Sequence, residues 1–316
     1  MINKFLINLL RTTMETADNK RLAKQNYPTD DIEIRKDIPY LNDGDQGHLL
    51  DIYYPKGTKG KLPTIINIHG GGLIYAYKDL NRNFNFELVR RGFAVISLSY
   101  RLIPHVTFFD QVQDILNAFA FIHDQLEPTP CDLEQLVIAG DSAGALLSMM
   151  GVAVNDNPRL QSLFGVRGSG LQFRAIGSIS IMLHTKRRKD IISVVSPRIE
   201  TKQQRQWEVF PYLDNPSRVL EEVAFPPFFL VTSAEDFIRQ DTLDLRAILD
   251  QRRIPYEILD WPKGDSYKLE HVFSVLHPKR EESIQTINGL CNLINHKIQG
   301  GMIPKKGEGL SVGPNS

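Results

Sequence analysis

The sequence has 316 residues, with 37 Lys and Arg against 37 Asp and Glu, and this zero formal net charge argues against a nucleic-acid-binding protein, which usually carries a basic excess. Hydrophobic residues make up 42% of the chain, as is usual for a globular domain, and no continuous apolar run reaches the roughly 18 residues that a membrane span requires. The two cysteines, Cys131 and Cys291, form no C-x-x-C pair, so the sequence predicts neither a metal site nor a cofactor.

The chain begins with a helix-like segment and a predicted hairpin. Residues 1–28 open with a short apolar patch that lacks the long apolar core and the A-x-A cleavage site of a secretory signal, so we expect a cytoplasmic protein. Two strand-like runs follow, at 32–40 and 49–55, and the loop between them is rich in Asn, Asp and Gly. This pattern predicts an antiparallel hairpin with a longer loop.

After the hairpin, short apolar runs alternate with amphipathic helix-like segments. The apolar runs are mostly continuous, which is typical of parallel strands covered on both faces, and they lie at 64–68, 93–100, 135–140, 175–183, 227–233 and 256–261. The clearest helix-like segments are 108–126, 242–253 and 280–298. The alternation predicts an α/β fold over residues 29–298, with an eight-stranded, mostly parallel, doubly wound sheet that starts with the antiparallel hairpin.

Two segments interrupt this pattern. About forty residues, 184–223, separate two predicted strands, and we expect them to form one or two helices over the edge of the sheet. The basic run 186–189 within them is interpreted as a solvated face rather than as an anion site. The last residues, 299–316, are rich in Gly, Pro, Ser and Lys and are predicted to be disordered.

A nucleophile motif follows the apolar run 135–140. Gly140-Asp141-Ser142-Ala143-Gly144 matches G-x-S-x-G, with a strand-like run before it and an apolar helix-like run after it. In this motif a sharp strained turn exposes the serine hydroxyl, and the flanking glycines allow the strand and the helix to approach closely. Ser142 is therefore the candidate nucleophile.

A serine nucleophile needs a base, and the base needs an orienting acid, in the chain order Ser, Asp or Glu, His. Asp236 follows the run 227–233 and is the favoured acid, with Glu235 and Asp241 as local competitors. His271 follows the last predicted strand and is favoured as the base over His277.

The glycines after the third predicted strand suit an oxyanion hole. Backbone N–H groups aimed at the negative oxygen of a tetrahedral intermediate are often the largest catalytic contribution. Ala143, which follows the nucleophile, supplies one candidate donor, and the others are Gly70, Gly71 and Gly72. Neither a P-loop nor a dinucleotide-binding motif is present in this loop.

Together these motifs resemble the hormone-sensitive-lipase-like family of α/β-hydrolase carboxylesterases, which includes bacterial acetyl esterases. The resemblance extends over roughly residues 30–297 and rests on HGGG (69–72), SYRLIP (99–104), GDSAG (140–144), EDFIRQD (235–241) and HVF (271–273). It implies a triad of Ser142, Asp236 and His271, oxyanion donors chiefly at Gly71, Gly72 and Ala143, a structural role for His69, and a helical cap built from residues 1–28 and about 184–223.

The sequence departs from the family pattern at four positions. His105 replaces an acidic residue, Phe237 a proline and Gln240 an acidic residue, and Leu73 stands where an aromatic residue often follows the glycines. None of these is a triad residue, but they weaken any transfer of substrate preference.

The favoured function is hydrolysis of short-chain acyl esters through an acyl-enzyme. An amidase or peptidase of the same fold and a catalytically silent small-molecule receptor are the alternatives. The expected partner is a small-molecule ester, with no nucleic acid and no membrane, and a homodimer stays an open alternative because the sequence does not determine the oligomeric state.

Overall fold

The computed structural model describes residues 2–25, 27–185 and 200–298. The predicted basic face at 186–189, part of the predicted cap insertion and the predicted tail at 299–316 therefore lie outside the described residues. The strands are β1 Ile32–Pro39, β2 Leu49–Pro55, β3 Leu62–Ile68, β4 Ala94–Leu98, β5 Cys131–Asp141, β6 Phe173–Ile179, β7 Phe228–Ser233 and β8 Tyr256–Trp261. The α-helices are α1 Ile2–Lys24, α2 Arg82–Val89, α3 Phe108–Asp124, α4 Ala143–Asp156, α5 Pro158–Phe164, α6 Phe210–Asp214, α7 Arg239–Arg252, α8 Phe273–Leu276 and α9 Glu281–Ile298.

The strands form one eight-stranded sheet in the order β1-β2-β4-β3-β5-β6-β7-β8. β1 pairs antiparallel with β2, and β2 pairs antiparallel with β4. From β4 to β8 every neighbouring pair is parallel. The predicted α/β-hydrolase fold, with its N-terminal hairpin and mostly parallel sheet, is confirmed.

Both faces of the sheet are buried, as the continuous apolar runs predict. In β3, Ile66 packs into a core that also contains residues of α3, α4 and α5, whereas its neighbour Ile65 packs into a second core with residues of α2 and α9. In β5, Ile138 and Val137 divide between the same two cores. Successive side chains of a strand point to opposite faces, so a strand covered on both sides is mostly apolar along its whole length.

Some boundaries differ from those predicted. β6 ends at Ile179, although the apolar run continues to Leu183, because Ser180 adopts a left-handed backbone conformation with φ of 50° and turns the chain out of the sheet. Helix α2 was not predicted, since its sequence RNFNFELV mixes polar and apolar residues and has no clear apolar stripe.

Helix α1 docks beside the loops at the carboxyl ends of the strands. Arg11 donates hydrogen bonds to the carbonyl oxygens of Ile74 and Ile103, at 2.9 and 3.0 Å. Further along α1, Arg21 donates to the carbonyl oxygen of Leu276 at 3.2 Å. The second predicted cap segment, about 184–223, contains short helices in its described part, including α6. From this segment, the Gln204 side chain donates a hydrogen bond to Thr107 Oγ1 at the start of α3. No helix in the described ranges has both the length and the apolar character needed to cross a membrane.

A buried ion cluster ties the hairpin to the segment that precedes α2. Lys78 Nζ lies 2.7, 3.0 and 3.2 Å from carboxylate oxygens of Asp37, Asp51 and Asp79. The side chains of Lys78 and Asp51 are 6% and 0% exposed. Burial alone would lower the pKa of Lys78, but the hydrogen bonds and charges of these carboxylates raise it, so the lysine stays charged.

Replacing Lys78 by Met should destabilise the fold, because it leaves the buried Asp51 carboxylate without its cation. We expect a loss of about 3 kcal/mol in the free energy of unfolding, measured by urea denaturation. Lys36→Met is the matched control, since Lys36 pairs with Asp79 but is 49% exposed, and it should cost less than about 1 kcal/mol. Equal losses in the two variants would show that the buried cluster is not a special source of stability.

Candidate active site

The candidate nucleophile lies on a strained turn between β5 and α4. Ser142 has φ of 52° and ψ of −115°, a conformation that non-glycine residues rarely adopt. The end of β6 and the loop after it hold this turn. The N–H of Ser142 donates to the carbonyl oxygen of Ile179 at 2.9 Å, and the carbonyl oxygen of Ser142 accepts a hydrogen bond from the N–H of Met182 at 3.1 Å. Among the described residues the Ser142 hydroxyl has no hydrogen-bond partner, and catalytic hydrogen bonds often tighten only when substrate binds.

Two glycines permit this turn. A Cβ atom at Gly140 would overlap the backbone of Gly144, and one at Gly144 would overlap the carbonyl oxygens of Ile68 and His69. Strand β5, helix α4 and the end of β3 therefore approach one another at distances that only glycine allows.

His271 and Asp236 come together from different loops. His271 Nδ1 lies 2.9 Å from Asp236 Oδ1, and the N–H of Ile238 donates to the same oxygen at 2.9 Å. Because an ionised carboxylate can only accept, Nδ1 carries the proton and Nε2 of the neutral ring is left as the basic nitrogen. Burial alone would raise the pKa of Asp236, but the hydrogen bond and charge of His271, together with donors from Ser180 and Ile238, lower it.

The structure gives different partners to the favoured acid, Asp236, and to its two local competitors, Glu235 and Asp241. Glu235 accepts the N–H groups of Gly264 and Leu269 at 3.1 and 2.8 Å, so it braces the loop that carries the histidine. Asp241 lies in the first turn of α7 and accepts the N–H of His184 at 3.1 Å. Of the three carboxylates, Asp236 is the one bonded to His271.

Further strained residues surround Asp236 and His271. Ser180 and Val272 have φ of 50° and 52°, and positive φ is a true outlier for a β-branched residue such as Val272. The N–H of Val272 points to Ser180 Oγ at 3.4 Å, and Ser180 also bonds to Asp236. Strain of this kind clusters at functional sites. No motif pointed to Ser180 in the sequence; its position just after β6 was the only signal.

The three candidate oxyanion glycines have different environments. Gly70 donates its N–H to Asp141 Oδ1 at 3.2 Å, so that donor is engaged in this structure, and its assignment as an oxyanion donor stays a prediction. Gly71 and Gly72 have φ of 95° and 61°. The N–H groups of Gly71, Gly72 and Ala143 make no hydrogen bond to any other described residue.

Gly71 and Gly72 differ in the space around them. A Cβ atom at Gly71 would overlap the carbonyl oxygen of Tyr75, whereas one at Gly72 would meet nothing within 4 Å. Gly71 is therefore required by the fold of the loop, and Gly72 borders open space.

The loop of Gly70, Gly71 and Gly72, called the glycine loop below, lies over the buried ring of His69. This ring stacks on Tyr100, with ring centroids 4.3 Å apart, and its Nδ1 donates to the carbonyl oxygen of Gly70 at 2.9 Å. Tyr100 donates its hydroxyl to the carbonyl oxygens of His69 and Gly70, each at 3.0 Å. Burial lowers the pKa of His69 to about 4, so the ring is neutral at pH 7 and carries no charge into the site.

Asp141 immediately precedes the candidate nucleophile. Its side chain is buried and makes polar contacts. It accepts Asn81 Nδ2 at 2.7 Å in addition to the N–H of Gly70. Burial raises the pKa of Asp141 to about 6, although Asn81, the charge of His271 and the Gly70 N–H each act to lower it. Nothing in the sequence pointed to Asn81 as part of this site.

The four departures from the family pattern lie in different places. Phe237 is 59% exposed, and its ring centroid is 4.7 Å from that of His271, so it borders the candidate base. Leu73 is fully buried, Gln240 bonds to Asp244 on the surface of α7, and His105 is exposed. His105 also borders a cavity of about 650 Å³ beside the hairpin, and that cavity contains none of the triad candidates.

No group of three or more His, Cys, Asp or Glu side chains suited to hold a metal ion occurs within the described ranges.

Comparisons with known proteins agree with the fold of this chain and relate it to esterases. The BD-FAE family model matches residues 50–176. A solved structure of esterase B from Lactobacillus rhamnosis, inhibited by a C4-C4 tributyrin phosphonate, is 26% identical with a TM-score of 0.85, and the match covers 94% of this chain and 96% of that chain.

Two curated relatives match shorter segments. A probable isoprenylcysteine alpha-carbonyl methylesterase of Arabidopsis thaliana is 29% identical over 37% of this chain and 27% of its own length. The kynurenine formamidase of Drosophila melanogaster is 30% identical over 35% of this chain and 36% of its own length. The match thus spans about a quarter to a third of the length of these relatives.

The raised pKa of the buried Asp141 predicts that the free energy of unfolding depends on pH. Because its folded-state pKa is raised from 3.8 to about 6, the folded protein binds this proton more tightly than the unfolded chain does. Its stabilising contribution is complete below about pH 4 and is lost as the pH rises through about 6, by on the order of 3 kcal/mol.

Urea unfolding between about pH 4 and pH 7, for wild type and Asp141→Asn, measures this contribution as the difference between the two profiles. Asp265→Asn, which changes an exposed carboxylate on the loop after β8, serves as the control and should parallel wild type. Parallel profiles for wild type and Asp141→Asn would contradict the raised pKa.

Proposed function

We propose that this chain is a serine carboxylesterase of the hormone-sensitive-lipase-like type, which hydrolyses short-chain acyl esters, and the BD-FAE match and the likeness to esterase B support this. The observation that carries the proposal is the 2.9 Å contact between His271 and Asp236 at the same sheet edge as the strained Ser142 turn. A nucleophile, a base and an orienting acid are the groups that acyl transfer requires.

In the proposed reaction, Ser142 Oγ attacks the ester carbonyl carbon and its proton passes to His271 Nε2. The carbonyl oxygen becomes an oxyanion, and the tetrahedral intermediate collapses when the protonated histidine gives its proton to the departing alcohol. Water, deprotonated by His271, then attacks the acyl-enzyme, and a second collapse releases the carboxylic acid and restores Ser142. Asp236 holds the imidazole tautomer and stabilises the imidazolium in both steps.

The oxyanion donors in this proposal are the N–H groups of Gly71, Gly72 and Ala143. Their lack of a hydrogen-bond partner within the described chain supports this role. Ala143 is also the first residue of α4, so the partial positive charge of a helix N-terminus adds to its donor.

The proposed substrate is a small-molecule ester with a short acyl chain. Esterase B, whose match covers 94% of this chain, was inhibited by a tributyrin phosphonate, and this supports an acyl site of butyryl size. The α1 helix and the segment that contains α6 are proposed to form the cap that limits the acyl site. Cytoplasmic location and a homodimer stay predictions.

A second candidate function is amide hydrolysis by the same residues. The similarity to a kynurenine formamidase is the observation that favours it. A silent receptor is less well supported, since the candidate nucleophile, base and acid are all present and the base and acid are bonded.

Replacing Ser142 by Ala should abolish esterase activity, because it removes the nucleophile and leaves the fold intact. We expect kcat for p-nitrophenyl butyrate to fall by about 10⁶-fold or to background. Ser162→Ala, the same change at an exposed position on α5, should keep wild-type activity. Circular dichroism and urea unfolding establish that both variants fold, and substantial turnover by folded Ser142→Ala would overturn the proposal.

A substrate panel separates the ester and amide functions and tests the acyl preference. We expect kcat/KM to be highest for acetyl or butyryl p-nitrophenyl esters and to fall toward decanoyl. Matched butyryl esters and anilides should favour the ester. A maximum at decanoyl would contradict the short-chain proposal, and faster hydrolysis of the anilide would favour the amidase.

A further inference from the structure

Asn81 is a buried amide at the point where the segment after the glycine loop enters α2. It is 4% exposed and lies at the end of the 3₁₀-helix Lys78–Asn81. Its Nδ2 donates to Asn67 Oδ1 at 2.9 Å and to Asp141 Oδ1 at 2.7 Å. Both amide hydrogens are therefore used, and both point toward the two strands, β3 and β5, that lead into the site.

The contact between Asn81 and Asp141 extends to the glycine loop. Asp141 Oδ1 also accepts the N–H of Gly70 at 3.2 Å, so one carboxylate oxygen joins Asn81 to the start of that loop. Asp141 immediately precedes Ser142, and a Cβ atom at Gly70 would overlap the Asp141 side chain. The orientation of this carboxylate thus sets how the glycine loop lies against the Ser142 turn.

We infer that Asn81 is a positioning residue, which fixes the Asp141 carboxylate and through it the register of the glycine loop against Ser142. The inference rests on the proposed function, because the loop matters for rate only if its N–H groups stabilise an oxyanion. Asn67 fixes the amide of Asn81 in turn and is the outer member of the same chain of contacts.

We expect a change at these contacts to destabilise the transition state more than it weakens substrate binding. The oxyanion is fully charged only near the tetrahedral intermediate, and an oxyanion donor is worth about 10²–10³ in kcat when it is removed. Displacing the donors rather than removing them should cost less, on the order of 10–100-fold in kcat, with KM changed by less than about threefold.

Asn81→Asp is the most direct variant, because it keeps the shape of the side chain and removes at least one of the two donated hydrogen bonds, since a carboxyl group carries at most one proton. Asn83→Asp is the matched control. It makes the same change two residues further along the chain, where the Asn83 amide donates to Gln25 Oε1 at 3.0 Å and does not contact the glycine loop. We expect Asn83→Asp to lower the stability and to leave kcat of the folded enzyme near that of wild type.

A structural role alone would not change the affinity for a transition-state analogue. Butylboronic acid, which forms a tetrahedral adduct with a reactive serine, should bind Asn81→Asp more weakly by the same factor as kcat falls. If Asn81→Asp does not fold, Asn81→Ala, which removes both donors without adding an acceptor, is measured in the same assays and should show the same loss in kcat and in boronate affinity.

Labelling of wild type by a fluorophosphonate, with the label mapped to Ser142, separates the two proposals. No label on Ser142 would overturn the proposed function itself. Labelled wild type, with a folded Asn81 variant that has wild-type kcat and boronate affinity, would overturn the role of Asn81 alone. A kcat loss that is equalled by Asn83→Asp would also overturn it.

Discussion

The site depends on one strained residue, Ser142, whose backbone conformation is held in place by its neighbours. The carbonyl oxygen of Ile179 and the N–H of Met182 bind the two sides of the peptide, and Gly140 and Gly144 leave room for the close packing of β5, α4 and β3. An unfavourable φ of this kind persists only where the surrounding structure determines it fully. The strained serine therefore lies at the carboxyl-end edge of the sheet in a conformation that contacts from the ends of β3 and β6 support.

The proposed acid and base, Asp236 and His271, depend on a second set of supports, which are mostly polar. Glu235 binds two N–H groups of the loop that follows β8, and Ser180 contacts both Asp236 and Val272. Each support comes from a loop that follows a different strand. Because parallel strands bring their carboxyl ends to one edge, residues far apart in sequence become neighbours there. The chemistry is thus concentrated in a few side chains, whereas their positions depend on many backbone contacts.

The sequence predicted the features that depend on local pattern. Strands covered on both faces show as continuous apolar runs, and the turn that exposes Ser142 shows as glycines at fixed spacing. It favoured Asp236 but kept Glu235 and Asp241 as competitors, because three carboxylates within seven residues differ mainly in the partners that the folded chain brings to them. For the same reason the engagement of Gly70 by Asp141 and the buried contacts of Asn81 could be recognised only in three dimensions.

Asp141 also shows how a charged group can lie beside the proposed oxyanion hole. A buried carboxylate next to a developing negative oxygen would oppose the reaction if it had no compensating donors. Here the amide of Asn81 and the N–H of Gly70 point at its Oδ1, and His271 lies close enough to lower its pKa electrostatically. The same donors that offset the cost of burying the carboxylate also connect β5 to the glycine loop. Polar contacts that stabilise this part of the fold are therefore the contacts that determine the geometry of the site.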